Sequence, residues 1–242
     1  MYRIVDKIRK RSEDPWGNPP ATVVFFGDSV TNGCFEVEFD GQRYIPIYDE
    51  ANSYTAIFGR MVKELYPKTQ LNVINSGISG DSAKGGLSRL ERDVLSYNPD
   101  LVVVCFGLND CGMGLSGVIE YEKNLSEILR RVKEYGSEVI LMTPNCITDS
   151  VHHSLRTERE RADGERLSAL MNDGVFDEYM KAARRVASEN GAGLVDCNAI
   201  WQSLREKGVS VNGMLSNKLN HPTRNMHFVF AYELMRSIFY NV

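Results

Sequence analysis

The chain has no long apolar run. Its hydrophobic stretches are all far shorter than the ~20 residues a bilayer span requires, which argues against membrane insertion. It also lacks an excess of either charge: 28 Lys and Arg stand against 32 Asp and Glu in 242 residues, a formal net charge of -4. That balance offers no basic footprint for a phosphate backbone, so nucleic acid is not an expected partner. Cysteine is sparse, and its five positions (Cys34, Cys105, Cys111, Cys146, Cys197) form neither a CxxC pair nor a Cys/His metal spacing. Reduced thiols in a cytoplasmic protein are the simplest reading, with Cys105 a small core residue inside an apolar run. The opening "MYRIVDKIRKRSEDPWGNPP" lacks the apolar core and cleavage-like site of a secretion signal and reads as a short peripheral helix. No internal repeat and no Pro/Gly/Ser-rich linker divides the chain, so residues 1–242 are expected to form one domain.

Short apolar runs alternate with longer segments of helical periodicity, the pattern of βα units around a parallel sheet covered on both faces. Five strands are expected, at 21–27, 71–77, 100–107, 138–144 and 192–198. Helices are expected at 54–66, 86–97 and 223–239. Two further stripes, Leu125, Ile128, Leu129, Val132 and Tyr135, then Leu167, Leu170, Met171, Tyr179, Ala183 and Val186, read as core packing. Two insertions interrupt the alternation. Residues 34–48 alternate Phe35, Val37 and Phe39 with acidic residues and turn at Asp40 and Gly41, a hairpin signal. Residues 145–174 begin as a polar loop and become highly charged; the part from 156 to 166 reads as a solvated face of mixed sign. Both insertions would follow the carboxyl ends of strands, where ligands bind in a doubly wound sheet, and both are candidate pocket walls.

The same edge collects chemistry-bearing residues from four connections. Acyl transfer needs a nucleophile, a base within hydrogen-bond reach, and donors aimed at the oxygen that becomes negative. Ser29 follows the first strand in "FFGDSVTNG", Gly77 the second in "NSGISGDS", Asn109 the third in "GLND", and His221 precedes the last helix in "NHPT". Ser29 is the candidate nucleophile and His221 the candidate base. The backbone N–H groups of Ser29 and Gly77 and the amide of Asn109 are candidate oxyanion donors. Asp28 and Asp110 read as turn-bracing residues. His152 and His153 read as solvated, His227 as packing, and Phe35, Tyr44 and Tyr48 as either a sugar-stacking wall or a subunit contact.

These four blocks, in this order and spanning Val23 to His221, resemble those of the SGNH hydrolases of the GDSL esterase and lipase family. The resemblance implies a three-layer α/β/α sandwich with a five-stranded parallel sheet in flavodoxin-like order, and no metal or organic cofactor. It implies that Ser29 attacks, His221 serves as base, and Gly77 and Asn109 are oxyanion donors. One departure stands out: where the family carries an aspartate three residues before the histidine, this chain has Lys218, and no carboxylate lies between Ser210 and His221. A lysine cannot accept the imidazole N–H. A backbone carbonyl, the amide of Asn217 or Asn220, or the distant Asp196 would then have to orient the ring, Asp196 otherwise reading as a helix cap.

The function this implies is hydrolysis of short acyl esters, O-acetyl groups on a carbohydrate foremost, through an acyl-enzyme on Ser29. A lysophospholipase or thioesterase of the same mechanism is the alternative within the class. A noncatalytic binding protein is the alternative outside it, favoured by Lys218. A phosphate-binding flavodoxin-like protein is disfavoured, because the "GDSVTNG" loop has only Gly27 and Gly33 to expose N–H groups. The expected partner is a small ester substrate, with homo-oligomerisation left open.

Overall fold

Val23, Val24, Phe25 and Phe26 are all fully buried, as a strand covered by helices on both faces requires. The structure, a computed structural model, describes residues 2–41 and 43–240. Its strands are β1 (Ala21–Gly27), β2 (Cys34–Phe39), β3 (Tyr44–Tyr48), β4 (Leu71–Gly77), β5 (Leu101–Cys105), β6 (Glu138–Thr143) and β7 (Gly193–Asp196). Five of them pair in the order β4-β1-β5-β6-β7, and every pairing is parallel. Counted along the chain that order is 2-1-3-4-5, the flavodoxin-like arrangement. β2 and β3 form a separate antiparallel hairpin with an irregularity between Cys34 and Glu36.

The helices are α1 (Arg3–Glu13), α2 (Ser29–Asn32), α3 (Tyr54–Leu65), α4 (Ala83–Asp93), α5 (Val118–Tyr135), α6 (Glu158–Asn172), α7 (Val175–Glu189), α8 (Cys197–Glu206), α9 (Val211–Met214) and α10 (Arg224–Met235). Strand alternation distributes them over two faces. Phe25 meets Tyr54 and Phe58 of α3 edge-on, at 5.6 and 5.5 Å between ring centroids, whereas Phe26 points the other way, 5.2 Å from Phe106. α3 packs with α10 and α10 with α8, while α4, α5 and α7 pack in succession as the second layer. α1 buries Ile4 and Ile8, one helical turn apart, against the same core.

Element ends differ from the sequence reading where a capping side chain intervenes. α4 starts at Ala83, because Ser82 accepts the Gly85 N–H and so recruits a turn that apolar periodicity does not mark. β7 stops at Asp196, whose carboxylate accepts the Ala199 N–H and starts α8 at Cys197. The charged insertion condenses into α6 behind a reciprocal capping box between Thr157 and Glu160.

Candidate functional site

Ser29 is the first residue of α2 and follows β1 by a single residue. That intervening residue, Asp28, turns the chain by accepting the Val30 N–H on Oδ1 at 2.9 Å. Its other oxygen is buried without a partner among the described residues, and burial pushes the carboxyl up to about 7. Arg89 of α4 clamps the neighbouring strand ends: its guanidinium donates to the carbonyls of Gly27 (3.0 Å) and Ser76 (2.8 Å) and to the Asp81 carboxylate (2.7 Å). It lies 4.5 Å over the Phe26 ring, so a buried cation is fully partnered beneath the turn that carries Ser29.

His221 arrives from the loop before α10. Asn217 Oδ1 accepts the backbone N–H groups of Leu219, Asn220 and His221 at 3.0, 3.0 and 2.9 Å, folding that loop around one side chain. The result puts His221 Nε2 2.9 Å from Ser29 Oγ, with both residues buried. Burial depresses the imidazole to about 4, against which the Phe35 carbonyl and the Glu36 carboxylate act to raise it. With the ring proton on Nδ1, the Ser29 hydroxyl donates to Nε2.

Nδ1 itself is buried and without a hydrogen-bond partner among the described residues. The three side chains expected to orient it do not. Asn217 spends its oxygen on the backbone and its amide on Asn220 Oδ1 at 3.0 Å. Asn220 is held in turn through its carbonyl by Asn145. Asp196 sits at the end of β7, its carboxylate engaged by Arg184, Thr143 and the Ala199 N–H. Lys218 adopts a left-handed backbone (φ +60°) and sends its ammonium away from the ring, to the carbonyls of Asn212 and Leu215 at 3.0 and 2.8 Å. The residue in the place of an acid thus braces the loop.

The donor set also departs from expectation. The Gly77 N–H is consumed by Asn75 Oδ1 at 3.0 Å, and Gly77 packs so tightly under α2 that a Cβ would meet Asn32 N at 2.3 Å. Gly77 therefore seats the nucleophile turn and does not line the cleft. Gly80, three residues on, does line it, at φ +79° and with an N–H that has no acceptor among the described residues. No feature of composition separates the two glycines; only the turn after β4 does. Asn109 also lines the cleft, with one amide hydrogen on the Asp81 carbonyl at 2.8 Å and the other without an acceptor among the described residues. Asp110 Oδ1 accepts the Ala83 N–H at 2.9 Å, tying the loop that carries Asn109 to the start of α4.

The cleft over these groups has a volume of about 410 Å³. Its walls are the two insertions, joined by the Tyr44 hydroxyl donating to Asp163 of α6 at 2.6 Å. Val37, Tyr44 and Pro46 face it from the hairpin, and Arg159, Asp163 and Arg166 from α6, so the segment read as a solvated face lines the site. Phe35 is fully buried and packs 4.5 Å from His227, which removes it from any sugar or subunit contact. Tyr48 is exposed and donates to Ser79. His227 is buried and accepts the Tyr54 N–H at 3.0 Å, while His152 bonds Ser154 within its own exposed loop. A groove of about 710 Å³ between α7 and α8 shares no residue with the cleft. Among the described residues no group of three or more metal-ligating side chains converges.

A doubly wound sheet whose carboxyl edge brings together Ser29, His221, Asn109 and a glycine-bearing turn is the architecture of an ester hydrolase. Residues 25–227 match the model of the GDSL-like Lipase/Acylhydrolase family, and the chain belongs to that family as a carboxylic ester hydrolase. It is 24% identical over 225 residues to an acetylxylan esterase of Geobacillus stearothermophilus, covering 89% of this chain and 93% of the relative. Over a shorter stretch of 72 residues it is 36% identical to esterase TesA of Pseudomonas aeruginosa, 29% of this chain and 34% of the relative. The crystal structure of Axe2, an acetylxylan esterase from Geobacillus stearothermophilus, superposes with a TM-score of 0.66 at 22% identity, covering 90% of this chain and 94% of that one.

Proposed function

We propose that this protein is a serine esterase that removes short acyl groups, acetyl foremost, from a carbohydrate alcohol through an acyl-enzyme on Ser29. The observation that carries the reading is the buried hydrogen bond between Ser29 Oγ and His221 Nε2 at 2.9 Å, at the floor of a cleft. In this mechanism Nε2 takes the hydroxyl proton as Oγ attacks the acyl carbon, then returns it to the departing alcohol. Water attacks the acyl-enzyme by the same route in reverse, releasing the acid. The Ser29 and Gly80 N–H groups and the second Asn109 amide hydrogen serve as oxyanion donors, each contributing about 2.7–4 kcal/mol to lowering the barrier.

The Phe35 carbonyl acts toward the missing aspartate's role by raising the imidazole against burial, while Nδ1 has no partner of hydrogen-bond geometry among the described residues. It is the backbone group that favours the protonated ring, and it requires no buried carboxylate beside His221. The hairpin carrying it is stapled to α10, because Arg224 bonds Glu36 at 2.7 and 3.1 Å and Asp49 at 2.7 Å. A carbonyl acting in this way stabilises the imidazolium less than a carboxylate does. The acetyl preference is supported by the acetylxylan esterase relative and by a cleft of modest volume. Five buried free cysteines support a reducing, cytoplasmic setting.

The test is turnover of 4-nitrophenyl acetate, butyrate and octanoate, an acetyl thioester, a lysophospholipid and acetylated xylo-oligosaccharides by wild type and Ser29→Ala. Acetyl esters are expected to lead, with at least ~10³-fold loss in the variant. Activity that survives Ser29→Ala overturns the acyl-enzyme on Ser29, and none on any substrate overturns the reading in favour of a binding protein.

A further inference from the structure

Among the described residues, the cleft is charged on one side only. Its charged lining residues are Arg159, Asp163 and Arg166, all presented by α6 across the cleft from the hairpin. Asp163 is occupied: one oxygen accepts the Tyr44 hydroxyl at 2.6 Å and the other lies 3.3 Å from the Arg166 guanidinium. Arg159 has no carboxylate partner among the described residues. Its guanidinium stacks over Tyr44 (4.6 Å) and Phe39 (5.4 Å), which fixes its plane while leaving its N–H groups unspent on an acid. Two cations thus face one carboxylate that is already shared with a phenol. Arg166 also reaches across to the loop after Asn109, passing 3.7 Å from where a Gly112 Cβ would stand. The remaining polar lining, which includes Ser79, Asn217 and Asn220, is uncharged.

A neutral acetylated sugar gives this pair nothing to bind that an amide could not bind as well. A pre-oriented guanidinium matches a carboxylate through two parallel N–H···O bonds, and stacking on aromatic rings lowers the entropy lost on forming them. We propose that the alcohol moiety of the substrate carries a carboxylate, so that the ester is an O-acylated acidic saccharide, and that Arg159 and Arg166 are the residues that select it. The inference rests on the esterase reading and adds the substrate's charge to it. Arg159 and Arg166 act on binding the leaving group; the reacting atoms stay with Ser29 and His221.

The decisive pair of substrates is a mono-O-acetylated methyl glucuronoside and the corresponding methyl xyloside, which lacks only the C5 carboxylate; the methyl glucoside controls for bulk. The glucuronoside is expected to exceed both in kcat/KM by about tenfold, the discrimination of one partly exposed charged contact, and the margin should shrink as salt rises from 0.05 to 0.5 M. In Arg159→Gln/Arg166→Gln the ratio should collapse toward one, whereas Arg236→Gln, a surface arginine paired with Glu233, should leave it unchanged. A lysophosphatidylglycerol arm distinguishes a phosphate source of the negative charge: if it outcompetes the glucuronoside, the saccharide assignment is overturned. Binding of unacylated methyl glucuronoside and methyl xyloside, followed by calorimetry, reads the same selectivity without turnover. Equal kcat/KM and equal Kd for the acidic and neutral sugars overturn this inference while leaving a Ser29-dependent esterase standing. Loss of all turnover with retained preference for binding the glucuronoside removes the esterase reading instead.

Discussion

His221 is depressed to about 4 by burial alone, since Lys218 sends its charge elsewhere. A base with a lowered pKa stays unprotonated as pH falls, so the acid limb of kcat/KM for the free enzyme should lie near pH 4–5, below the 6.5 of an ordinary imidazole. An acid limb near 6.5 would mean that the ring is solvated or charge-paired in solution. The two glycines give a second expectation at this scale. Gly77→Ala forces a Cβ to within 2.8 Å of the Asp28 carbonyl and still closer to the Asn32 nitrogen, a backbone clash worth more than ~3 kcal/mol, and should lower Tm sharply. Gly80→Ala meets nothing within 4 Å and costs only the left-handed strain of ~1–2 kcal/mol. It should fold, yet lose kcat by ~10-fold or more as the N–H turns away from the oxyanion. Equal melting temperatures for the two variants would contradict this division. The sequence does not distinguish Gly77 from Gly80, because both glycines stand in one block. What separates them is that Asn75 reaches forward to cap one N–H and not the other, a side-chain choice no spacing reveals.

Among the elements, α4 does more than cover the sheet. Arg89 joins the ends of β1 and β4 to Asp81, whose carbonyl holds Asn109, so one side chain registers three parts of the site. Arg89→Lys keeps the charge and loses the fork. It is expected to lower kcat by ~10–100-fold with little change in KM, because the donors drift while the walls of the cleft stay. A rise in KM with kcat intact would place Arg89 on the substrate side. Strand and helix identities were legible because apolar runs and helical stripes are local properties; each expected strand of the main sheet is found, trimmed by up to two residues at either end. The hairpin was equally legible from its alternation and its Asp40-Gly41 turn. The burial of Phe35 was not, since it depends on His227, 192 residues further along the chain and invisible to any window. For the same reason α6 read as a solvated face: the pairing of Tyr44 with Asp163 is a contact between two insertions.

At the scale of the whole molecule, the topology followed from strand–helix alternation, but the balance of buried charge did not, because it depends on which polar groups end up without water. Two aspartates and two histidines buried around β1 and the site titrate differently in the folded and unfolded chain over the acid range. Asp28 and Asp110 are raised by burial to about 7 and about 6, from 3.8. His221 and His227 are lowered by burial to about 4 and about 3, from 6.5. Between roughly pH 4 and 6 the folded state holds a proton on each aspartate that the unfolded chain has released, so each aspartate makes stability fall as pH rises. Over the same window the unfolded chain holds a proton on each histidine that the folded state refuses, so each histidine makes stability rise with pH. The two pairs oppose one another, and their summed slope is close to zero. Asp28→Asn keeps an acceptor for the Val30 N–H and removes one aspartate from the balance. Its unfolding free energy should therefore rise with pH from 4 to 6 relative to wild type, by up to ~1.4 kcal/mol per pH unit. His227→Asn keeps an acceptor for the Tyr54 N–H and removes one histidine, so its relative stability should fall with pH over the same range. Urea unfolding of the three proteins at pH 4, 5 and 6 measures the slopes directly. Slopes of the same sign in both variants would show that these groups are solvated in the folded protein, and would undo the argument for a dry, neutral His221 along with it.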